Sequence, residues 1–239
     1  MDNLLNLLHL ADSAFPVGAH AHSYGLETLV TEGAVTDAET LRALLRLQLL
    51  AVLARTDLVA LRWAHDLAGT HNVAALRRLD AELSALKPVR EWREASSGAG
   101  RRLLFTARGF LAASPEGDND GRDGEAVADV LARDADNAVV GPHHALAYGV
   151  VGRALGIDAD ALARAYAFGA VAASVSAAVR LIPLGQTAAQ ATLHALKGAV
   201  AEAARVSATH PRDDMGGGLP LLDIAGMRHE RAPARLFIS

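Results

Sequence analysis

The sequence predicts an all-α fold, a single-domain multi-helix bundle of about ten helices. Alanine is the commonest residue, aromatic residues make up 4%, and runs of β-branched residues are scarce. Alanine and leucine favour helix, whereas strands are enriched in β-branched and aromatic residues. No stretch alternates apolar and polar residues with the period of two that a half-buried strand requires. The 239 residues, 51% of them hydrophobic, suffice for one domain with its own core.

Capping residues and apolar periodicity place the helices along the chain. Thr36 and Glu39 form a capping-box pattern before a long apolar repeat. Thr70 is a candidate cap, Pro88 suits a first helical position, and Asp158 follows a helix stop at Gly156. The ranges predicted to be helical are 36–67, 70–86, 88–112 with a bend at 96–100, 125–136, 141–155, 158–181 and, after Pro183, 185–207. A solvent loop is expected at 114–124.

The character of the sequence changes after Thr209. Three consecutive glycines at 216–218 predict a flexible linker over 211–218. The interpretation is a helical domain at 1–209 and a Gly-hinged docking tail at 210–239.

The tail carries an apolar helix motif. Leu221, Ile224 and Met227 are three residues apart, so they can share one face of a short helix. Isolated short helices are marginal in water, so this one is expected to dock. The sequence leaves open whether it docks on its own core or on a partner.

Composition excludes several classes of protein. The chain has no cysteine, which excludes a disulfide scaffold, a thiolate zinc site and a cysteine nucleophile. Its net charge of −4 argues against nucleic-acid binding. Neither lysine, Lys87 or Lys197, lies in a P-loop motif. The longest uncharged apolar run, 165–179, is shorter than the ~20 residues of a membrane span. With no basic signal-peptide start, a cytoplasmic protein without membrane contact is expected.

Motifs for catalysis or metal binding are weak. The closest histidines are His20 with His22, and His143 with His144, and two imidazoles supply at most half of a typical metal site. The stretch 98–102 is either an anion-binding nest or a helix bend with a basic face. No G-x-S-x-G or E-x-x-H pattern is present. We expect a helical binding protein with no cofactor, metal site or catalytic residue; the alternative is a helical metal-binding enzyme that uses the scattered histidines.

Four sequence segments, taken in order, resemble a known family. They are Leu10–Glu27, Gly100–Leu104, His144–Gly156 with Val175–Gln186, and Asp223–Glu230 with Arg235–Ser239. In this order and spacing they resemble the urease accessory protein UreF family over nearly the whole chain. The resemblance implies an all-helical homodimer without catalytic activity. It also implies binding to UreD (also called UreH) and to the GTPase UreG, in an assembly that delivers nickel to apo-urease.

The resemblance directs attention to three groups of residues for partner binding. In the first loop we expect a strip that faces a partner or lines a passage; the residues of this strip are His20, His22, Ser23, Tyr24 and Glu27. The alternative is that Ser23 caps a helix and Tyr24 packs in the core. A dimer or subunit contact, or else a structural role, is expected for Arg180, Gln186 and Gln190. In the tail, UreD is expected to cover the helix and the GTPase to meet its end; the residues are Leu221, Ile224, Met227, Arg228, His229, Glu230 and Arg235.

Overall fold

The described chain is built from helices and the turns between them. A computed structural model describes residues 3–16, 22–111, 126–133, 142–232 and 235–238, and no strand occurs in those ranges. The all-α prediction is confirmed. The α-helices are α1 (Asn3–Ala11), α2 (Leu26–Thr31), α3 (Ala38–Leu47), α4 (Asp57–Gly69), α5 (Val73–Ala85), α6 (Arg90–Leu111), α7 (126–133), α8 (His144–Ala154), α9 (Ala159–Leu181), α10 (Gln186–Ala195), α11 (Lys197–Thr209) and α12 (Pro220–His229).

Helix α8 forms the centre of the bundle. It lies against α4, α6 and α9, and its residues from 145 to 152 are all buried. Helix α9 packs in turn on α1, α10 and α11. The Arg62 guanidinium joins three helices, since it donates to Ser207 Oγ at 2.9 Å and to Asp160 Oδ1 at 2.8 Å.

The helix predicted over 36–67 is interrupted, which corrects that prediction. A π-helical turn (Gln48–Val52) and a 3₁₀ turn (Leu53–Arg55) separate α3 from α4. The Thr56 hydroxyl donates to the Val52 carbonyl at 2.9 Å, and the Asp57 carboxylate is drawn inward to Lys87. Side-chain competition for backbone groups thus breaks a repeat that is continuous in sequence.

Two helix caps lie one or two residues beyond their predicted positions. Asp37, not Thr36, caps α3, because its carboxylate accepts from Glu39 N at 3.0 Å and Thr40 N at 2.9 Å. Asn72 caps α5 by accepting from Ala75 N at 3.0 Å. Thr70 instead donates back to the preceding helix. Both corrections keep the predicted helix and move only its start.

Helix α6 begins at Arg90, after Pro88, and runs without interruption through the predicted bend. The anion-nest interpretation of 98–102 is therefore wrong, because the amides of that stretch lie within the helix. The small residues of this stretch face the core, with Ala99 and Gly100 buried.

The later helices follow the prediction more closely. Gly156 has φ +68° and Asp158 caps α9, as predicted. The helix expected over 185–207 is divided into α10 and α11 by a turn at Leu196. The Leu196 side chain at this turn is buried. The predicted loop at 114–124 lies outside the described residues.

The segment interpreted as a flexible linker is held against the bundle. Gly216 N donates to the Arg55 carbonyl at 3.0 Å. A Cβ on Gly217 would lie 2.2 Å from the Ala51 carbonyl oxygen, so only glycine permits this approach. Gly217 therefore serves close packing on the π-helical turn.

Helix α9 also bears on the membrane question. Among the described residues it is the one helix long and apolar enough to cross a membrane by length and composition. Core helices of soluble proteins pass the same test, and α9 packs on several neighbouring helices. We interpret it as a helix of the bundle.

Candidate functional site

The structure brings the first loop and the C-terminal segment together on one face. Helix α12 packs on α2 and on the start of α6. Its inner face is buried, through Leu222, Ala225, Gly226 and His229. The tail therefore docks on its own core, which answers the question that the sequence left open.

The backbone of the first loop is shaped for this contact. Tyr24 and Gly25 have φ of +50° and +84°, a left-handed pair that turns the chain into α2. A Cβ on Gly25 would lie 3.2 Å from the Leu222 carbonyl oxygen. The Tyr24 ring meets the Trp92 indole edge-on at 6.2 Å between centroids. Ser23 is buried within this loop.

At the centre of this face, the imidazole of His229 lies between two carboxylates. Its Nε2 is 3.0 Å from Glu27 Oε2 and its Nδ1 is 3.1 Å from Glu91 Oε2. The His229 side chain is 1% exposed. Glu27 also accepts the backbone amides of Leu236 at 2.6 Å and Phe237 at 3.2 Å. Glu27 thus holds both α12 and residues 236–237 through hydrogen bonds.

The charge of Glu27 is favoured by these contacts. Partial burial raises its pKa, but the Leu236 amide, His229 and the Phe237 amide together hold the pKa below its ordinary value. Nearby, burial and the Arg102 guanidinium lower the pKa of His22 against the opposing effect of Glu91. The site therefore keeps an ionised carboxylate under the tail.

Ion pairs surround this centre. Arg235 Nη1 donates to Glu91 Oε1 at 2.7 Å, Arg228 Nη1 to Glu32 Oε1 at 2.8 Å, and Arg90 pairs with Glu230. The Arg180 guanidinium lies over the Phe237 ring, 4.3 Å from its centroid. Most of the predicted partner-binding residues of the tail are therefore engaged with the chain itself.

The outer face of α12 is apolar and exposed. Its residues are Leu221, Ile224 and Met227, exposed by 57%, 47% and 45%; we call them the apolar ridge. Leu236 and Ile238 are exposed beside the end of the segment. Contiguous exposed apolar residues of this kind mark interaction surfaces.

The remaining predicted residues lie apart from this face or outside the description. Gln186 and Gln190 are exposed on α10, and His20 lies outside the described residues. Sequence reasoning missed Glu91, Trp92 and Glu32, because residues more than a hundred positions apart leave no local pattern. The predicted loop residues Tyr24 and Glu27 do join the tail residues.

A second polar cluster is buried between α4, α6 and α8. Lys87 Nζ contacts both Asp57 oxygens, at 2.8 and 2.9 Å. Burial and the nearby Asp57 charge raise the pKa of Tyr166. Burial acts to raise the pKa of Asp57, but the charge of Lys87 outweighs burial and lowers this pKa. Burial lowers the pKa of His143 and of His144 to about 4. These histidines are neutral at pH 7.

Acidification is expected to destabilise the fold. The neutral histidines of the native state, His143 and His144, must gain protons that unfolded histidines bind at about pH 6.5, so stability falls between pH 6.5 and 4. Asp80, whose pKa burial raises to about 6, partly offsets this because its protonation favours the native state. We expect a net loss of roughly 3 kcal/mol.

The measurement is urea unfolding at pH steps across this range. His144→Phe keeps the ring contacts with Tyr148 and Tyr166 and should reduce the pH dependence. An unchanged slope in that variant would show that His144 is not responsible.

An apolar groove lies on another side of the bundle, between α1, α9 and α11. Its volume is about 730 Å³. Leu7, Leu8, Phe168 and other apolar residues line it, whereas Asp12, Arg164 and Lys197 contribute charge. Leu4 and Leu5 of α1 are exposed nearby in sequence. This α1–α9 groove is the second candidate interaction surface.

The chain is similar to known proteins over nearly its whole length. The family model of UreF matches residues 35–197. The urease accessory protein UreF of Corynebacterium glutamicum (strain R) is 34% identical over 233 residues, covering 98% of this chain and 96% of the relative. That of Geobacillus kaustophilus (strain HTA426) is 33% identical over 240 residues, with coverages of 99% and 98%. That of Paenarthrobacter aurescens (strain TC1) is 37% identical over 235 residues, with coverages of 98% and 97%.

Proposed function

The chain belongs to the UreF family of urease accessory proteins, which gives it a role in urease assembly, and we propose that it is a non-catalytic adaptor there. In this proposal it binds UreD (UreH) and the GTPase UreG, modulates the GTPase, and takes part in nickel delivery to apo-urease in the cytoplasm. The observation that carries the proposal is the apolar ridge, which is presented outward on a helix whose inner face is locked to the bundle. A rigid, exposed apolar surface suits a partner better than a substrate.

The ridge is assigned to UreD and the polar edge of the same face to UreG. Ion pairs hold Arg228, Glu230 and Arg235 in place without covering them, and arginines fixed in this way are frequent hot spots of interfaces. Arg180 lies over Phe237 at this face. Gln186 and Gln190, which are exposed on α10 apart from this face, are assigned a separate subunit contact. We place His22 and Tyr24 beneath the polar edge, as support for the first loop.

Co-expression with UreD and UreG, followed by size-exclusion chromatography, tests the adaptor role. The three proteins should co-elute, and Arg235→Ala should reduce the UreG content while retaining UreD. Because Arg235 also contacts Glu91, Glu91→Gln is the matched control for a loosened tail. Equal loss of UreG in both variants would assign Arg235 a structural role.

We further propose that the protein forms a two-fold homodimer through the α1–α9 groove. A two-fold interface uses the same patch on both copies, so it must be self-complementary. This groove meets that condition, because it joins an apolar floor to both Asp12 and the cations Arg164 and Lys197. Phe168 lies in the lining and is the natural anchor.

Phe168→Asp is therefore expected to convert the dimer into a monomer. It would remove the apolar anchor ring and place a carboxylate in the apolar floor of the interface, which we expect to weaken dimerisation at least a hundredfold, ~3 kcal/mol. Light scattering at micromolar concentration measures the mass. Leu47→Asp, at an exposed leucine of α3, should leave the mass unchanged. A dimeric Phe168→Asp protein would exclude this groove as the interface.

The metal-binding-enzyme alternative receives no support from the described residues. No cluster of three or more His, Asp or Glu side chains in those ranges has a geometry suited to a metal ion. We expect the isolated protein to lack a tight nickel site. Isothermal titration should show no stoichiometric binding with submicromolar affinity, and such binding would contradict the prediction.

A further inference from the structure

The hydrogen bonds of His229 depend on its protonation state. An ionised carboxylate only accepts, so bonds to both Glu27 and Glu91 require a hydrogen on each ring nitrogen. Only the imidazolium carries both. A neutral ring donates to one carboxylate and turns a lone pair toward the other, which is about 3 Å away.

The surrounding charges increase the energetic difference between the protonated and the neutral ring of His229. Glu27 from α2 and Glu91 from α6 are mostly buried, and Arg235 supplies a cation to Glu91. With His229 protonated, two negative and two positive charges balance. Loss of its proton leaves one negative charge in excess, and a buried charge without a partner is costly.

Other charged groups near the site are already engaged or act from outside. In the first loop, the pKa of His22 is affected by the charge of Glu91. Arg180, a residue of α9, lies over the Phe237 ring. On α12 itself, Arg228 pairs with Glu32 and Glu230 with Arg90. Burial raises the pKa of Asp223, which lies six residues before His229.

We propose that His229 is a protonation-controlled latch that docks α12 and residues 235–238 on α2 and α6. The latch is closed when the imidazole is protonated and loosens when the proton is lost. Docking therefore strengthens as the ring gains its second proton and weakens as it loses it. Glu27 remains ionised throughout, since its pKa is held below the ordinary value.

The tail is coupled to the partner surface by this latch. Because the apolar ridge lies on α12, its position relative to the bundle is set when the inner face docks. Loss of the His229 proton would therefore alter the presentation of the ridge. Docking of α12 takes place within one chain, so it does not depend on which partner binds the ridge.

Trp92 provides a reporter in the full-length protein. Its indole lies against α12, since a Cβ on Gly226 would be 2.5 Å from the Trp92 ring. The chain has two tryptophans, so Trp63→Phe leaves Trp92 as the sole emitter. In this background, Trp92 fluorescence followed from pH 6 to pH 9 should show one transition. We expect the docking equilibrium constant to fall on the order of tenfold per pH unit across it.

Substitutions identify the group responsible. His229→Gln keeps a polar side chain but cannot titrate, so the transition should disappear. His194→Gln, at an exposed histidine of α10, should leave it unchanged. A transition that survives His229→Gln would overturn the latch.

A direct measurement covers the case in which His229→Gln does not fold. Nitrogen-15 spectra of the histidine rings in the unsubstituted protein distinguish the imidazolium from the neutral tautomers. The latch requires His229 to change state in the same pH interval as the fluorescence. A ring that keeps one state from pH 6 to pH 9 would refute the proposal.

Discussion

Replacing Leu221 and Ile224 together by aspartate is expected to abolish UreD binding and leave the isolated protein folded. Both side chains are on the exposed side of α12, whereas the contacts that hold the helix are made by its inner face. Two buried carboxylates in an apolar interface would weaken binding at least a thousandfold, ~4 kcal/mol. Helix content and urea stability should change little, because surface substitutions away from packing contacts cost little.

The measurement is a quantitative pull-down with purified UreD, paired with circular dichroism of the variant. Phe105→Asp is the matched control, since Phe105 is 74% exposed on α6 and does not belong to the ridge. It introduces the same charge at another apolar surface residue and should bind UreD normally. Normal binding by the double variant would exclude the ridge as the UreD surface.

The second large effect is expected at the buried ion pair. Lys87→Met should lower the free energy of unfolding by about 3–5 kcal/mol, because it leaves the Asp57 carboxylate buried without its cation. The Asp57 side chain is 7% exposed, and the Thr56 hydroxyl, 3.1 Å from Asp57 Oδ2, carries no charge. Urea unfolding at pH 7 measures the loss.

Two further variants separate charge from packing. Asp57→Asn combined with Lys87→Met removes both charges and should recover part of the loss, as replacement of whole buried pairs often does. Arg46→Met breaks the exposed pair with Glu202 and should cost less than about 1 kcal/mol. Equal costs for Lys87→Met and Arg46→Met would show that burial does not strengthen the Lys87 pair.

The sequence predicts most helices because helix starts and periodicity are local. Asp158 and Gly156 bound α9 as expected, and the caps at Asp37 and Asn72 lie within two residues of the predicted ones. The π-helical break before Asp57 could not be predicted in this way. It lies next to a contact between Asp57 and Lys87, which are thirty residues apart and leave no local pattern.

The candidate site shows the same limit. The shared face of Leu221, Ile224 and Met227 follows from their spacing, and the structure exposes it. The inner face depends on Glu27, and no spacing reveals its bond with His229. The UreD assignment stays a prediction. Substitutions on the ridge test it better than deletion of the tail, which would uncover both Glu27 and Glu91.

The bond between Glu27 and His229 also sets an order of events during synthesis. These residues are 202 positions apart, so at ~5–20 residues per second α2 emerges tens of seconds before α12 exists. Until then the Glu27 carboxylate lacks its donors and α2 lacks the helix that covers it. A chain interrupted before residue 219 would lack the apolar ridge and the groups that complete α2. The surface proposed for UreD is therefore present only on chains translated to nearly their full length.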